Sequence, residues 1–108
     1  MIYSFLIGNH KEIGLNIYSS KNYRDILAQT IREKKQIDKS CNFQWLAKMI
    51  RVQKPYLSKV LRGTADFSSD QMFLACESLG FTKEQTRYMH LLLEYERSYI
   101  KHRKHEIE

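Results

Sequence analysis

The chain has 108 residues, 43% of them hydrophobic and 28% charged, which is typical of one globular domain and excludes a disordered or membrane-embedded chain. It contains only four glycines and one proline, so a turn-rich β fold is disfavoured and an all-α fold is predicted. The formal net charge of +6 favours a polyanionic partner, such as nucleic acid or an anionic membrane surface.

The positive charge is concentrated in one window of the sequence. No acidic residue occurs between Asp38 and Asp66. The cations inside that window are Lys39, Lys48, Arg51, Lys54, Lys59 and Arg62. Their number equals the net charge of the whole chain, so the remaining sequence is balanced and the window is the candidate binding surface.

Residues 1–21 are predicted to form an N-terminal arm, built as a hairpin or as an extended segment packed on the body. The stretch MIYSFLIGNH has no basic leader and no small-residue cleavage site, so we do not interpret it as a secretory signal. No apolar run reaches the length of a membrane span, and no membrane partner is expected. Two cysteines without a CxxC pairing indicate a reducing compartment, with Cys76 in the core and Cys41 at a loop or helix edge. We expect a cytoplasmic, nucleoid-associated protein.

Residues 22–108 are predicted to form the main domain, beginning with three helices. Asn22 is a suitable N-cap for an amphipathic helix that continues to about Lys35. A short second helix carries Phe43, Leu46, Ala47 and Ile50. A third begins near Pro55, which the first turn of a helix tolerates, and has Leu57, Val60 and Leu61 on its apolar side before Gly63 ends it.

Two further helices complete the predicted bundle. Ser68 or Ser69 caps the fourth, which has Met72, Phe73, Cys76 and Leu79 facing inward before Gly80. Thr82 and Gln85 have the spacing of a capping box at the start of a long fifth helix. Its apolar stripe, Tyr88, Leu91, Leu92, Tyr95 and Tyr99, is predicted to be core.

The second and third helices have the pattern of a helix-turn-helix, in which a small residue lets two short helices cross closely. Residues 46–63 resemble this motif in the Cro/C1-type (XRE-like) repressors, which have a lambda-repressor-like fold. The wider segments NIYSSKNYRDIL, PYLSKVLRG and SSDQMFLACESLGFTKEQTRYMHLLLEYERS resemble a bacterial subgroup of such regulators, over roughly residues 16–98. Because Arg51 or Val52 stands where the turn often has glycine, we expect this turn to close differently.

The resemblance implies an all-α, five-helix bundle that binds duplex DNA in a sequence-specific manner as a homodimer and regulates transcription, and we expect a repressor. Candidate base contacts are Gln53, Lys54, Tyr56 and Lys59, although Gln53 could instead cap its helix. Candidate phosphate contacts are Gln44, Arg51, Ser58 and Arg62. Candidate dimer contacts are Leu92, Tyr95, Tyr99 and Ile100.

Three other functions stay open at the level of sequence. The basic face could dock an acidic protein partner, with the helix-turn-helix serving as a protein-interaction module. It could also bind RNA or nucleic acid without sequence preference. An enzyme is the least favoured, because the chain has no glycine-rich phosphate loop, nucleophile elbow or paired carboxylates beside a base. We expect no cofactor and no metal ion.

Overall fold

The computed structural model describes residues 17–107, with side chains described as far as residue 98. These residues form a 3-10 turn at Ile17–Ser19 and five α-helices, with no strand in the described range. The helices are α1 (Tyr23–Ile37), α2 (Phe43–Met49), α3 (Lys54–Arg62), α4 (Ser69–Leu79) and α5 (Lys83–Ile107). The all-α, five-helix prediction is confirmed. The predicted hairpin or extended arm falls, as far as residue 16, outside the described residues.

Local capping signals set most helix ends, as the sequence predicts. The Asn22 side chain accepts a hydrogen bond from the Arg24 amide at 2.9 Å and begins α1. Ser68, not Ser69, caps α4 and forms a full capping box with Gln71. Gly63, at a φ of 91°, takes the left-handed conformation that ends α3.

The same local chemistry starts α5. The Thr82 amide donates to Gln85 Oε1 at 2.9 Å, and the Gln85 amide donates to Thr82 Oγ1 at 3.1 Å. This reciprocal pair is the capping box that the sequence predicts between the two residues.

One hydrophobic core lies between the five helices. Helix α3 packs on α1 and α2, while α4 packs on α2 and α5. The core residues are Ile17, Tyr23, Ile26, Leu27, Ile31, Leu46, Ala47, Ile50, Leu57, Val60, Phe67, Met72, Ala75, Cys76, Leu79, Met89 and Leu93. Cys76 is a core residue as predicted, and its burial raises the pKa of the thiol to about 12.

Two predictions about inward faces are wrong. Phe73 is 52% exposed, because α4 turns Met72 and Ala75 toward the core instead. Among the described side chains of α5, the buried ones are Met89 and Leu93, one position away from much of the predicted stripe. Leu91 and Tyr95 are 56% and 68% exposed, so the stripe is not a core face along its whole length.

The end of the N-terminal segment packs on the body of the bundle. Ile17 is buried in the core, and the Tyr18 ring lies 5.0 Å from the ring of Tyr88. The Tyr88 hydroxyl donates to the Ser20 carbonyl at 2.6 Å. Residues 17–20 therefore tie the start of α1 to α5.

A buried guanidinium connects three parts of the bundle. Arg24, on α1, is only 7% exposed. Its Nε donates to the Val60 carbonyl at 2.6 Å, and its Nη2 donates to the Ala65 carbonyl at 3.1 Å and to Asp66 Oδ1 at 2.7 Å. Its Nη1 donates to the Glu96 carboxylate on α5. We call Arg24 and these four partners the Arg24 cluster.

The Arg24 guanidinium stays positively charged although the residue is largely buried. Burial lowers the pKa of Arg24, but the hydrogen bond to Glu96 and the negative charges around it outweigh burial and raise the pKa overall. Tyr23 contacts the Arg24 cluster from outside, since its hydroxyl donates to Asp66 Oδ1 at 2.9 Å. Burial, together with that hydrogen bond to Asp66, raises the pKa of the Tyr23 phenol. The guanidinium therefore holds the end of α3 against α1 and α5.

Replacing Arg24 with leucine is expected to lower the free energy of unfolding by about 3 kcal/mol, because two partly buried carboxylates lose their cationic partner and two carbonyls lose one hydrogen-bond donor each. Arg24→Lys should be intermediate, since an ammonium cannot make the forked contacts. The measurement is urea unfolding followed by circular dichroism. Arg32→Leu, an exposed arginine on the same helix, is the control and should change stability by about 0.5 kcal/mol at most. Equal losses in the Arg24 and Arg32 variants would show that the cluster contributes nothing specific.

Candidate nucleic-acid interface

Helices α2 and α3 form the predicted helix-turn-helix. Ala47, on α2, is buried in the core, and α2 packs on α3. Leu57 and Val60 bury one side of α3 against α1 and α2. Since these contacts fix one side of α3, its opposite side is held at the surface in a defined orientation.

The turn between the two helices closes on a left-handed arginine. Arg51 has a φ of 63°, in the region that favours glycine. The Arg51 amide donates to the Lys48 carbonyl at 3.1 Å, and the Val52 amide donates to the Ala47 carbonyl at 2.9 Å. These are the two hydrogen bonds of a Schellman motif. The expectation that this turn closes differently is wrong: the usual backbone is retained, with arginine in place of glycine.

The exposed side of α3 carries three candidate contacts in one row. Lys54, Ser58 and Arg62 recur every four residues, so they span about 12 Å along the helix. Lys59 is exposed on the neighbouring row. Gln53 precedes the helix and makes no capping hydrogen bond with its side chain, so that side chain is available to a ligand.

The electrostatic surroundings of this surface are uniformly positive. Lys48, Arg51, Lys54, Lys59 and Arg62 are all exposed, and none makes an ion pair within the part of the chain that the structure describes. Both ion pairs seen there belong to Arg24. We call the exposed surface of α2, the turn and α3 the basic face.

Tyr56 points away from the basic face. Its hydroxyl donates to the Asp66 carbonyl and lies 3.4 Å from Gln71 Oε1 at the start of α4. The tyrosine is half-buried against the core. We therefore remove it from the candidate base contacts, because its polar group is already bonded within the bundle.

The other candidate residues fall in two separate places. Gln44, at the start of α2, and Arg51, in the turn, are exposed beside α3 and extend the basic face. On α5, Leu92 packs partly against the core, whereas Tyr95 is largely exposed. The side chains of Tyr99 and Ile100 lie outside the described residues.

Sequence reasoning did not assign Phe43 and Leu61 to the basic face, although both contribute to it. They line a cavity of about 200 Å³ together with Lys54, Ser58 and Arg62. Leu61 lies three residues after Ser58 and is therefore beside it on the helix surface, and this could have been read from the helical period. That Phe43 reaches the same place depends on how α2 crosses α3.

A second and larger concavity lies between α4 and α5. It measures about 420 Å³ and is lined by Phe73, Glu77, Phe81, Lys83, Thr86, Arg87 and His90. None of its lining residues belongs to the basic face. Its mixed charge contrasts with the uniformly positive charge there.

The described residues offer neither a membrane span nor a cluster of metal ligands. No helix in this part of the chain is both long and apolar enough to cross a membrane. No group of three or more histidine, cysteine, aspartate or glutamate side chains there could hold a metal ion.

No family model, curated protein or solved structure matches the chain.

Replacing Arg51 with glycine is expected to raise the free energy of unfolding by about 0.5–1 kcal/mol, because glycine adopts the left-handed conformation without the penalty that a Cβ atom imposes. Lys48→Gly is the matched control. It replaces an exposed cation inside α2 and should cost about 1 kcal/mol. Chemical denaturation of both variants checks this difference in sign. If both glycines destabilise the protein, Arg51 does not hold the left-handed conformation in solution.

Proposed function

We propose that this chain is a sequence-specific duplex DNA-binding protein that regulates transcription, reading the major groove with α3. The observation that carries the proposal is the basic face: five exposed cations without an ion-pair partner among the described residues, on a helix-turn-helix held from behind by the core. DNA phosphates are the polyanion that such a surface complements. Its resemblance to Cro/C1-type regulators supports a role as a transcriptional repressor that is cytoplasmic and associated with the nucleoid.

The base contacts we propose are Gln53, Lys54 and Lys59. The amide of Gln53 can donate to and accept from adenine, and each lysine can donate to O6 and N7 of guanine. Gln53 and Lys54 lie at the start of α3, and this is the end of a recognition helix that enters the groove first. Lys59 lies farther along the exposed side of the same helix. These contacts supply the discrimination between sequences.

The phosphate contacts we propose are Gln44, Arg51, Ser58 and Arg62, which set the register and supply affinity. Arg51 supports this role independently. It keeps a long cationic side chain at a backbone position where glycine avoids strain. Backbone strain is commonly retained where a side chain serves function, and a phosphate contact accounts for it here.

We propose that the protein binds as a homodimer through α5, with Leu92, Tyr95, Tyr99 and Ile100 as contacts. The support is the exposure of Tyr95 and its neighbour Leu91, which leaves aromatic and aliphatic surface in water. A two-fold dimer would present two copies of α3 to successive major grooves.

Selection of duplexes from a random library, followed by binding at several salt concentrations, tests the function. The selected duplex should bind about a thousandfold or more tightly than a scrambled one. Of the four phosphate contacts per protomer, only Arg51 and Arg62 are cationic, so log affinity should fall with log salt with a slope of about −2 per protomer. A dimer predicts two related half-sites whose centres are about ten base pairs, or a multiple, apart.

Two other outcomes of the duplex-binding experiment would contradict the proposed function. Equal and weak binding to all duplexes would contradict sequence-specific regulation and favour a nonspecific nucleic-acid binder. No binding at low salt would contradict DNA binding altogether and favour an acidic protein as the partner of the basic face.

Two alanine variants separate the proposed roles. Lys54→Ala should relax the base preference at one position of each half-site, at a cost of about 1–3 kcal/mol for the preferred base. Arg62→Ala should weaken all duplexes alike and reduce the salt slope by about one. Lys35→Ala, an exposed cation at the end of α1, is the control and should leave both properties nearly unchanged. Identical behaviour of the Lys54 and Arg62 variants would show that these roles are wrongly divided.

A further inference from the structure

The cavity on the basic face combines an apolar floor with a polar rim. Phe43, at the start of α2, and Leu61, near the end of α3, supply the floor, and both pack partly against the core. Lys54, Ser58 and Arg62 supply the rim. The cavity measures about 200 Å³, below the range of about 300–1,000 Å³ that is usual for small-molecule sites.

The position of the cavity limits what could enter it. Its rim consists of one proposed base contact and two proposed phosphate contacts, so it opens toward the DNA if the proposed function holds. The inference that follows rests on that function. Lys54 and Arg62 on the rim disfavour a cationic ligand. They favour part of a polyanion such as DNA, whose phosphates would lie beside the rim while another chemical group enters the cavity.

The chemistry of the major groove identifies the occupant. The edges of the bases present hydrogen-bond donors and acceptors there, apart from the 5-methyl group of thymine, which is apolar. An aromatic and an aliphatic side chain can bury that methyl group but cannot satisfy a donor or an acceptor. A phosphate or sugar at the cavity would contact the rim of Lys54, Ser58 and Arg62 and leave the floor unused.

We propose that this cavity binds the 5-methyl group of one thymine in each half-site, which makes Phe43 a specificity-determining residue. Lys54 then contacts bases from the rim of the same cavity, so the hydrogen-bonded base and the thymine are neighbours in the recognised sequence. A thymine at that position is preferred over cytosine or uracil because neither carries the methyl group.

The experiment replaces each thymine of the selected duplex, one at a time, with uracil, which keeps the Watson–Crick edge and lacks only the methyl group. Binding of the unaltered protein is measured for every duplex. At one thymine per half-site, adjacent to the base that Lys54 contacts, uracil should weaken binding about fourfold, as expected for the loss of one buried methyl-sized group. At thymines outside the footprint it should have no effect.

Three variants then connect the effect to the cavity. In Phe43→Ala the uracil penalty at that position should fall below about twofold, whereas Phe43→Leu, which keeps an apolar floor, should retain it. Phe73→Ala removes an exposed phenylalanine that does not line this cavity and should retain the full penalty. Because the penalty is a ratio measured on one variant, moderate losses of stability cancel.

The outcomes separate this inference from the proposed function. If a specific duplex is bound but no uracil substitution costs more than about twofold, the methyl site is overturned and the function stands. The same holds if the half-sites contain no preferred thymine, or if the penalty persists in Phe43→Ala. If no duplex is bound specifically, the proposed function fails, and the methyl site fails with it.

Discussion

The geometry of the basic face depends on the hydrogen bonds and ion pairs of one buried group, the guanidinium of Arg24. It donates to the Val60 carbonyl near the end of α3, to the connection that follows, and to a carboxylate on α5. The Val60 carbonyl already accepts a hydrogen bond from the Gly63 amide, and the guanidinium adds a second donor there and complements the helix dipole. A buried charge without partners would cost several kcal/mol, so the cluster forms as a whole or is strongly destabilised. The position of α3 is thereby tied to α1 and α5 as well as to its own apolar contacts.

A second constraint acts at the other end of α3. The turn before α3 is closed by two backbone hydrogen bonds and contains one residue in the left-handed conformation. That residue is Arg51, although a side chain in this conformation costs free energy. Helix α3 is thus held at its start by a strained turn and at its end by a buried cation. Between them, Leu57 and Val60 fix its rotation, and the exposed row of Lys54, Ser58 and Arg62 follows from that rotation. A surface fixed in this way is pre-organised, which reduces the entropy lost on binding.

Features set by near neighbours in the chain could be predicted from the sequence. The caps at Asn22 and Thr82, the proline in the first turn of α3 and the terminal Gly63 each depend on residues within one helical turn. In residues 43–63, the cations and the apolar residues occupy different positions of the helical period. This pattern is also local, and it predicts where the basic face lies.

Features set by distant residues could not be predicted. Arg24 bonds to residues 36 to 72 positions away, and nothing in its immediate neighbours distinguishes it from the exposed Arg32. Phe73 was assigned to the core because adjacent apolar residues on α4 leave the inward face ambiguous, and packing against α2 and α5 decides it. The Tyr56 hydroxyl turns inward because the Asp66 carbonyl lies there, a partner that appears only after the chain has folded.

The most direct test of this account is to map the bound surface by the amide chemical shifts of the isotopically labelled protein, with the selected duplex added. The account predicts that the largest shift changes fall in residues 42–45 and 51–63, with little change around Phe73 and His90. Largest changes in the concavity between α4 and α5, with α3 unaffected, would contradict the claim that the basic face is the DNA-binding surface.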